Sequence, residues 1–452
     1  MKYFVKDLEK ILNAKKINLV DNKEITGIAI DSRKVKEGDL FIPFLGENVD
    51  GHDYIESAFE KGAVASLSLK DDFKSGNNII YVNDSYEAIQ TLAKHYLECL
   101  NVKIVAITGS NGKTTTKDIV TSILETKFKV HKTQGNFNNE LGVPLTILTA
   151  PEDSDILVLE MGADNFGQLD FLSKLVKPDY TIITNIGESH IEFFGSRAGI
   201  AKAKFEITNG MKKDGFFVYN GDELLLKELV ENSSINATSC GENSYNDIIL
   251  ENYTITRDKI DFKLNIDKNS FSTTLKGKHN LFNLMFAVTI AKKIGLANEE
   301  IHHAIDNISK ITNMRLESIT YGEDSLIIND AYNASPTSMK AAVDVISDLN
   351  DFEFKTLVLG SMFELGPNEV EYHSGIGTYI NNNSRGINLV ISVGDLAKNI
   401  TDNINNKDIN TLHFSTVEEV TDYLKANKHK NEVILFKASR SMKLETIIND
   451  IK

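Results

Sequence analysis

The run Thr108-Gly109-Ser110-Asn111-Gly112-Lys113-Thr114-Thr115 stands directly after the apolar stretch Lys103-Ile104-Val105-Ala106-Ile107 and before residues 113–127, whose spacing predicts a helix. A buried strand that turns on two glycines straight into a helix constrains the fold strongly. The turn gathers backbone N–H groups at a helix N-terminus, where they and the helix dipole attract a phosphate. Lys113 adds a compact cation for β and γ phosphates, and the Thr114 hydroxyl suits a Mg²⁺ ligand. The longer form of this pattern would have glycine at Ile107, so the loop is a shortened one. Gly109, Ser110, Asn111, Gly112, Lys113, Thr114 and Thr115 are therefore the expected phosphate-binding residues.

Further buried-strand patterns follow at 155–159, 180–184 and 215–219, with helical stretches between them. Strands alternating with helices predict right-handed crossovers and a mostly parallel sheet with helices on both faces. Between 247 and 275 the pattern changes to period two, which predicts antiparallel hairpins at the edge of that sheet, and helices are expected at 280–294 and 298–308. Residues 311–314 are the linker candidate, because a third alternation begins after them, with strands at 326–328, 356–359, 389–392 and 433–436. Upstream, short strands at 26–30 and 79–82 and a helix over 86–100 read as a small α/β domain. The expected fold is α/β with three domains: 1–100, a central phosphate-loop domain over 101–312, and a Rossmann-like C-terminal domain over 313–452. A length of 452 residues fits three cores at roughly 150 residues per domain.

Charge and composition narrow the function classes. Lys and Arg total 49 against 64 Asp and Glu, a net charge of −15, which opposes nucleic-acid binding by counterion release. No apolar run reaches the ~18 residues of a membrane helix, so the chain is not expected to be membrane-embedded. Residues 1–7 interleave charges with apolar side chains and offer no signal-peptide core, so a cytoplasmic protein is expected. Cys99 and Cys240 lie far apart, which favours buried free thiols over a metal site or redox pair.

Glu160 ends the strand 155–159, where an open parallel sheet presents its carboxyl edge and collects ligands; a carboxylate there can hold Mg²⁺ beside a nucleotide. His190 follows the strand 180–184 and falls on the same edge. Lys204, in Ala201-Lys202-Ala203-Lys204-Phe205, reads from its neighbours alone as part of an exposed amphipathic helix.

The segments Thr108-Gly109-Ser110-Asn111-Gly112-Lys113-Thr114, Leu159-Glu160-Met161-Gly162-Ala163, Thr184-Asn185-Ile186-Gly187-Glu188-Ser189-His190 and Gly277-Lys278-His279-Asn280-Leu281-Phe282-Asn283 occur in the order of the Mur ligases, the ATP-dependent amide-forming enzymes of peptidoglycan precursor synthesis. The resemblance runs nearly end to end. Gly135-Asn136-Phe137-Asn138-Asn139-Glu140 and Asp330-Ala331-Tyr332-Asn333-Ala334-Ser335-Pro336 resemble the branch that adds D-alanyl-D-alanine. The Asp-Asn-Pro-Arg motif usual in the branch that adds the third amino acid is not found. Asp31-Ser32-Arg33, Gly38-Asp39-Leu40-Phe41 and Asp50-Gly51-His52 are similar to a nucleotide-sugar-binding domain; taken alone they read as ordinary turns.

The resemblance implies an ATP-dependent ligase whose partners are UDP-MurNAc-tripeptide and D-alanyl-D-alanine, acting as a monomer with ATP and two Mg²⁺ ions. By position, it implies that Lys113 and Thr114 serve the ATP phosphates. Thr114, Glu160 and His190 would hold Mg²⁺, and Lys204 would be carbamylated to bridge toward a second ion. Asn280 and Asn283 match adenine-side residues, Arg315 a third-domain arginine that reaches the γ-phosphate, and Asp330 a ribose contact. Lys113, His190, Lys204 and Arg315 form the implied catalytic set; Ser32, Arg33, Asn136, Asn138 and Asn139 form the implied substrate set. Met314 stands where the family more often has glycine before the arginine, and Ser361 and Ala438 also depart from its pattern. Other readings stay open on the residues alone: a phosphate-loop ATPase with interaction modules, the neighbouring diamino-acid ligase, and a folylpolyglutamate-type ligase.

Overall fold

The computed structural model describes residues 2–452 apart from 72, 74, 75, 257, 309–313 and 323. Residues 311–313 of the linker candidate therefore lie outside the described residues, and Met314 lies within them.

The phosphate-loop strand Lys103–Thr108 sits inside a nine-stranded sheet, flanked by Ile156–Glu160 on one side and Tyr180–Ile183 on the other, both parallel to it. Its odd and even residues serve two cores. Ile104 and Ala106 face one, with Leu157, Leu159, Ile183 and Phe217. Val105 and Ile107 face the other, with Val158, Ile182 and Val218 under the helices Lys113–Leu124 and His279–Ile294. Burial on both faces is why these strands read as unbroken apolar runs. The period-two region becomes Ile248–Ile255, Ile260–Leu264 and Phe271–Thr273, an antiparallel extension of the same sheet.

The N-terminal five-stranded sheet runs in the order Lys16–Asn18, Ile79–Tyr81, Ala65–Ser68, Asp39–Phe41, Gly27–Ala29. One face has a core of its own with Phe41, Ile55 and Tyr81. The other, through Leu40, Ile42 and Ile80 and the helix Ser85–Cys99, joins the core on one face of the central sheet. The first two units thus share apolar burial, so they form one mechanical body more than two separately cored ones. The C-terminal sheet has six strands, with Ser325–Asn329, Glu432–Lys437, Phe354–Gly360, Leu389–Val393 and Asn410–Phe414 parallel and Glu317–Tyr321 antiparallel at one edge. Helices Pro336–Asp348 and Glu369–Asn383 cover one face, and Val417–Ala426 and Glu445–Ile451 the other.

Short edge strands such as Val130–Lys132 and Asn410–Phe414 are absent from the sequence reading, because three to five half-exposed residues carry little periodicity. One expectation is corrected. Cys240 is buried, but Cys99 is exposed, since it ends its helix on the solvent side; both thiols are free. No helix among the described residues is long and apolar enough to cross a membrane.

Candidate active site

The carboxyl ends of three adjacent strands converge because the chain leaves the central strand, visits an edge, and returns on both sides of it. Register places Glu160 opposite Ile107, and Ile183 opposite Thr108. The phosphate loop, Glu160 and the segment Thr184-Asn185 therefore open on one edge. A cleft of about 500 Å³ lies there, walled on its far side by the C-terminal unit.

Backbone geometry explains the loop's glycines. Gly109 has φ +145°, and a Cβ on it would come 2.0 Å from Thr184 Oγ1. Gly112 has φ +81° and precedes the first turn of the helix Lys113–Leu124. The Asn111 N–H donates to Asn185 Oδ1 (2.8 Å), and the Ser110 N–H donates to the Asn185 carbonyl (3.1 Å). The loop is thereby fixed to the neighbouring strand end. Lys113 Nζ donates to the carbonyls of Gly109 (2.7 Å) and Ser110 (3.3 Å), so its cation is held over the loop. Burial pushes it down to about 8, against the pull of Glu160.

Arg315 comes from the C-terminal unit. Its Nη2 donates to Thr114 Oγ1 (3.2 Å), its guanidinium stacks 4.3 Å from the Tyr332 ring centre, and its Nε has no hydrogen-bond partner. Three further contacts join the same two lobes. Ser335 Oγ donates to Asn111 Oδ1 (3.1 Å), Thr337 donates through N–H and Oγ1 to Glu188 (3.1 and 2.7 Å), and His190 Nδ1 lies 2.6 Å from Glu364.

Glu160 is 3% exposed. Its Oε1 accepts from Asn138 Nδ2 (2.9 Å) and its Oε2 has no partner, a buried carboxylate oxygen suited to a hard cation. His190 adopts φ +60°, which turns its side chain toward the cleft, and burial lowers its pKa despite Glu364 beside it. Among the described residues no group of three or more His, Cys, Asp or Glu is arranged to hold a metal. Mg²⁺ fits here as such sites commonly take it, around one protein carboxylate, Glu160, with phosphate oxygens and water completing its shell.

Lys204 differs most from the reading of its own neighbours. It is 1% exposed, its Nζ donating to the Ala163 carbonyl (2.9 Å) and lying 5.4 Å from the centre of the Phe194 ring. Burial, then repulsion from Lys113, brings it down to about 7. The helix Arg197–Phe205 presents this position inward.

Asn280 and Asn283 are buried on the first turn of His279–Ile294, where Asn283 Nδ2 donates to Asn280 Oδ1 (2.8 Å) and Asn283 Oδ1 accepts from Thr116 (3.1 Å). Asp330 lines the cleft and accepts from Lys437 Nζ (2.5 Å), which also donates to the Asn333 carbonyl (3.1 Å). Lys437, Tyr332, Glu364 and Glu188 are site residues that sequence reasoning missed. Each acts through a partner distant in the chain, so even Glu188 and Tyr332, which lie inside the quoted segments, receive no role from their neighbours.

The expected substrate residues divide. Asn138 lines the cleft. Asn139 caps the helix Gly142–Leu148 by accepting from the Gly142 N–H (2.9 Å), and Asn136 is exposed. Ser32 and Arg33 lie apart in the turn Ser32–Lys34, where Arg33 forks onto Asp31 with two bonds of 2.9 Å. Met314 takes φ +62°, a left-handed conformation that favours glycine, which accounts for the glycine commoner at that position in the family it resembles.

Residues 24–98 match the catalytic domain of the Mur ligase family, residues 107–291 the Mur ligase middle domain, and residues 314–440 the Mur ligase glutamate ligase domain. The chain is 43% identical to the UDP-N-acetylmuramoyl-tripeptide--D-alanyl-D-alanine ligase of Bacillus subtilis over 94% of its own length and 93% of that protein's. A crystal structure of MurF from Acinetobacter baumannii superposes with a TM-score of 0.91 at 27% identity, covering 100% of this chain and 99% of that one. MurF ligase from Thermotoga maritima in complex with ADP superposes at 0.83 with 29% identity, covering 94% of this chain and 96% of that one.

Proposed function

The chain belongs to the Mur ligase family, and from that premise we propose that it joins D-alanyl-D-alanine to UDP-MurNAc-tripeptide at the expense of ATP, giving UDP-MurNAc-pentapeptide, ADP and phosphate. The observation that carries this reading is the meeting of Arg315, from one lobe, with Thr114 in the phosphate loop of the other. Two cations, Lys113 and Arg315, then face one nucleotide tail, beside a buried carboxylate with a free oxygen.

In the proposed reaction the tripeptide's terminal carboxylate oxygen attacks the γ-phosphorus of ATP, the bond to the β-bridging oxygen breaks, and ADP leaves. The resulting acyl phosphate is attacked at its carbonyl carbon by the amine of D-alanyl-D-alanine; phosphate departs, and the proton released from the amine passes to the medium. Two anions meet in the first step, so the cations lower the barrier chiefly by offsetting that repulsion and the charge on the transferred group. Lys113 would hold the phosphates from the loop, while Arg315 would reach the transferring group when the lobes are together. Lobe contact also excludes water, which would hydrolyse the acyl phosphate. Mg²⁺, held by Thr114, Glu160 and His190 with phosphate oxygens, would supply further positive charge. Asn280 and Asn283 would face adenine, Asp330 the ribose, and Ser32, Arg33 and the asparagines of residues 136–139 the nucleotide-sugar peptide. The same proposal divides the chain at 100 and 312 and has it act as a cytoplasmic monomer.

Lys204 is proposed to act as a carbamate. Its burial and lowered pKa support this, since only an uncharged amine adds to carbon dioxide, and the added carboxylate converts a cation into a ligand for a second Mg²⁺. Lys204→Ala is expected to lose about a hundredfold or more in turnover and to recover in part with added formate or acetate. An unimpaired Lys204→Ala enzyme contradicts the carbamate.

Phosphate release tests the whole reading. With the tripeptide and the dipeptide supplied separately and together, sustained release is expected only with both, accompanied by the pentapeptide product. Equal release with neither substrate would return the chain to the class of simple phosphate-loop ATPases.

A further inference from the structure

Inside the helix Lys113–Leu124, one turn beyond the phosphate loop, Lys117 and Asp118 are 3% and 7% exposed. Both face the end of the short strand Val130–Lys132. Lys117 Nζ donates to the Thr133 carbonyl (3.0 Å) and lies 3.4 Å from Asp118 Oδ1, and Lys132 Nζ reaches that same oxygen at 2.7 Å. Packing alone does not account for a lysine here. Burying an ammonium carries a desolvation cost that methionine, of similar length, would avoid.

Thr133 leads from this anchor toward the cleft. Its hydroxyl, fully buried, accepts from the Glu160 N–H (3.0 Å). Five residues on, Asn138 Nδ2 donates to Glu160 Oε1 (2.9 Å), and its carbonyl accepts from the Gly162 N–H (2.8 Å). Residues 133–138 thus grip the end of the strand Ile156–Glu160 at its main chain and at its carboxylate. The sheet holds only the start of this segment, where the Thr133 N–H donates to the Val158 carbonyl (3.1 Å); the Thr133 carbonyl is left to Lys117, and no ladder pairing continues over 134–138.

We propose that Lys117 is a positioning residue: by tying the phosphate-loop helix to the Thr133 carbonyl it sets the 133–138 segment, and through it the Glu160 carboxylate, relative to the nucleotide phosphates. The proposal rests on the ligase reading and adds to it a residue that touches neither nucleotide nor peptide. Outer residues that orient a metal-binding carboxylate commonly cost about 10–100-fold when lost.

Lys117→Met and Thr133→Val in the full chain provide the test. The measurements are kcat, the Mg²⁺ concentration for half-maximal turnover, KM for UDP-MurNAc-tripeptide, ADP affinity in EDTA, and thermal unfolding. In Lys117→Met, kcat should fall and the Mg²⁺ requirement rise by about tenfold each, while ADP affinity in EDTA stays near that of the unaltered enzyme. Thr133→Val, which keeps the carbonyl but removes the acceptor for the Glu160 N–H, should shift the Mg²⁺ requirement the same way; it decides the matter if Lys117→Met does not fold. A folded Lys117→Met enzyme with unaltered kcat and Mg²⁺ dependence, or one whose ADP affinity falls as far as its kcat, would overturn the assignment. An unaltered chain that releases no phosphate with both substrates present would overturn the ligase reading and this proposal together.

Discussion

Lys113→Ala is expected to lower ligase turnover by roughly a thousandfold or more, the scale of losing one preorganised cation from a phosphoryl-transfer site. Two effects combine in that figure. The lysine sits over the loop through the Gly109 and Ser110 carbonyls, so its charge meets the β and γ phosphates without a search through rotamers. Burial holds its pKa down to about 8, and a bound triphosphate would draw the proton back and make the cation strongest where charge develops. ADP affinity should fall along with kcat. The unfolding midpoint should barely move, because the desolvation cost of burying the cation offsets its attraction to Glu160 and its two bonds to loop carbonyls. Steady-state phosphate release, ADP titration and a thermal melt read the three quantities; a mutant within tenfold of normal turnover would remove the loop from the chemistry.

Arg315→Ala should separate from Lys113→Ala by leaving ADP binding nearly intact while kcat drops by about a thousandfold, the range seen when an arginine reaches a transferring phosphoryl group from a second lobe. The geometry motivates this split. Tyr332 stacks the guanidinium and Thr114 orients one arm, while Nε has no partner and is free to donate to a phosphoryl oxygen. Arg315→Lys should remain poor, since a point charge reproduces neither the stacking nor the fork. ADP affinity that collapses with kcat in Arg315→Ala would mean that the residue holds ground-state nucleotide instead.

The phosphate loop was legible in the sequence because all of its chemistry is local: an apolar run, two glycines, a lysine and a threonine within one strand-turn-helix. Glu160 was legible for a related reason, since the end of a buried parallel strand is also the edge where ligands gather. Lys204 was not. Its burial comes from Ala163 and Phe194, which the chain brings to it from other elements, and its neighbours alone describe a solvated helix. Lys437 escaped notice likewise, as its tie to Asp330 spans 107 residues. His190 needed both levels: its strand context placed it on the binding edge, but the left-handed backbone that aims it and the glutamate across the lobe interface appear only in three dimensions.

The central claim is that cations from two lobes close on one terminal phosphate. A crystal structure of the chain with a non-hydrolysable ATP analogue and Mg²⁺ tests it most directly. The account predicts the γ-phosphate within hydrogen-bond reach of both Lys113 Nζ and the Arg315 guanidinium, with the free oxygen of Glu160 facing the ion. A triphosphate seated beyond the reach of Lys113, or an Arg315 turned away from it with the lobes together, would contradict it.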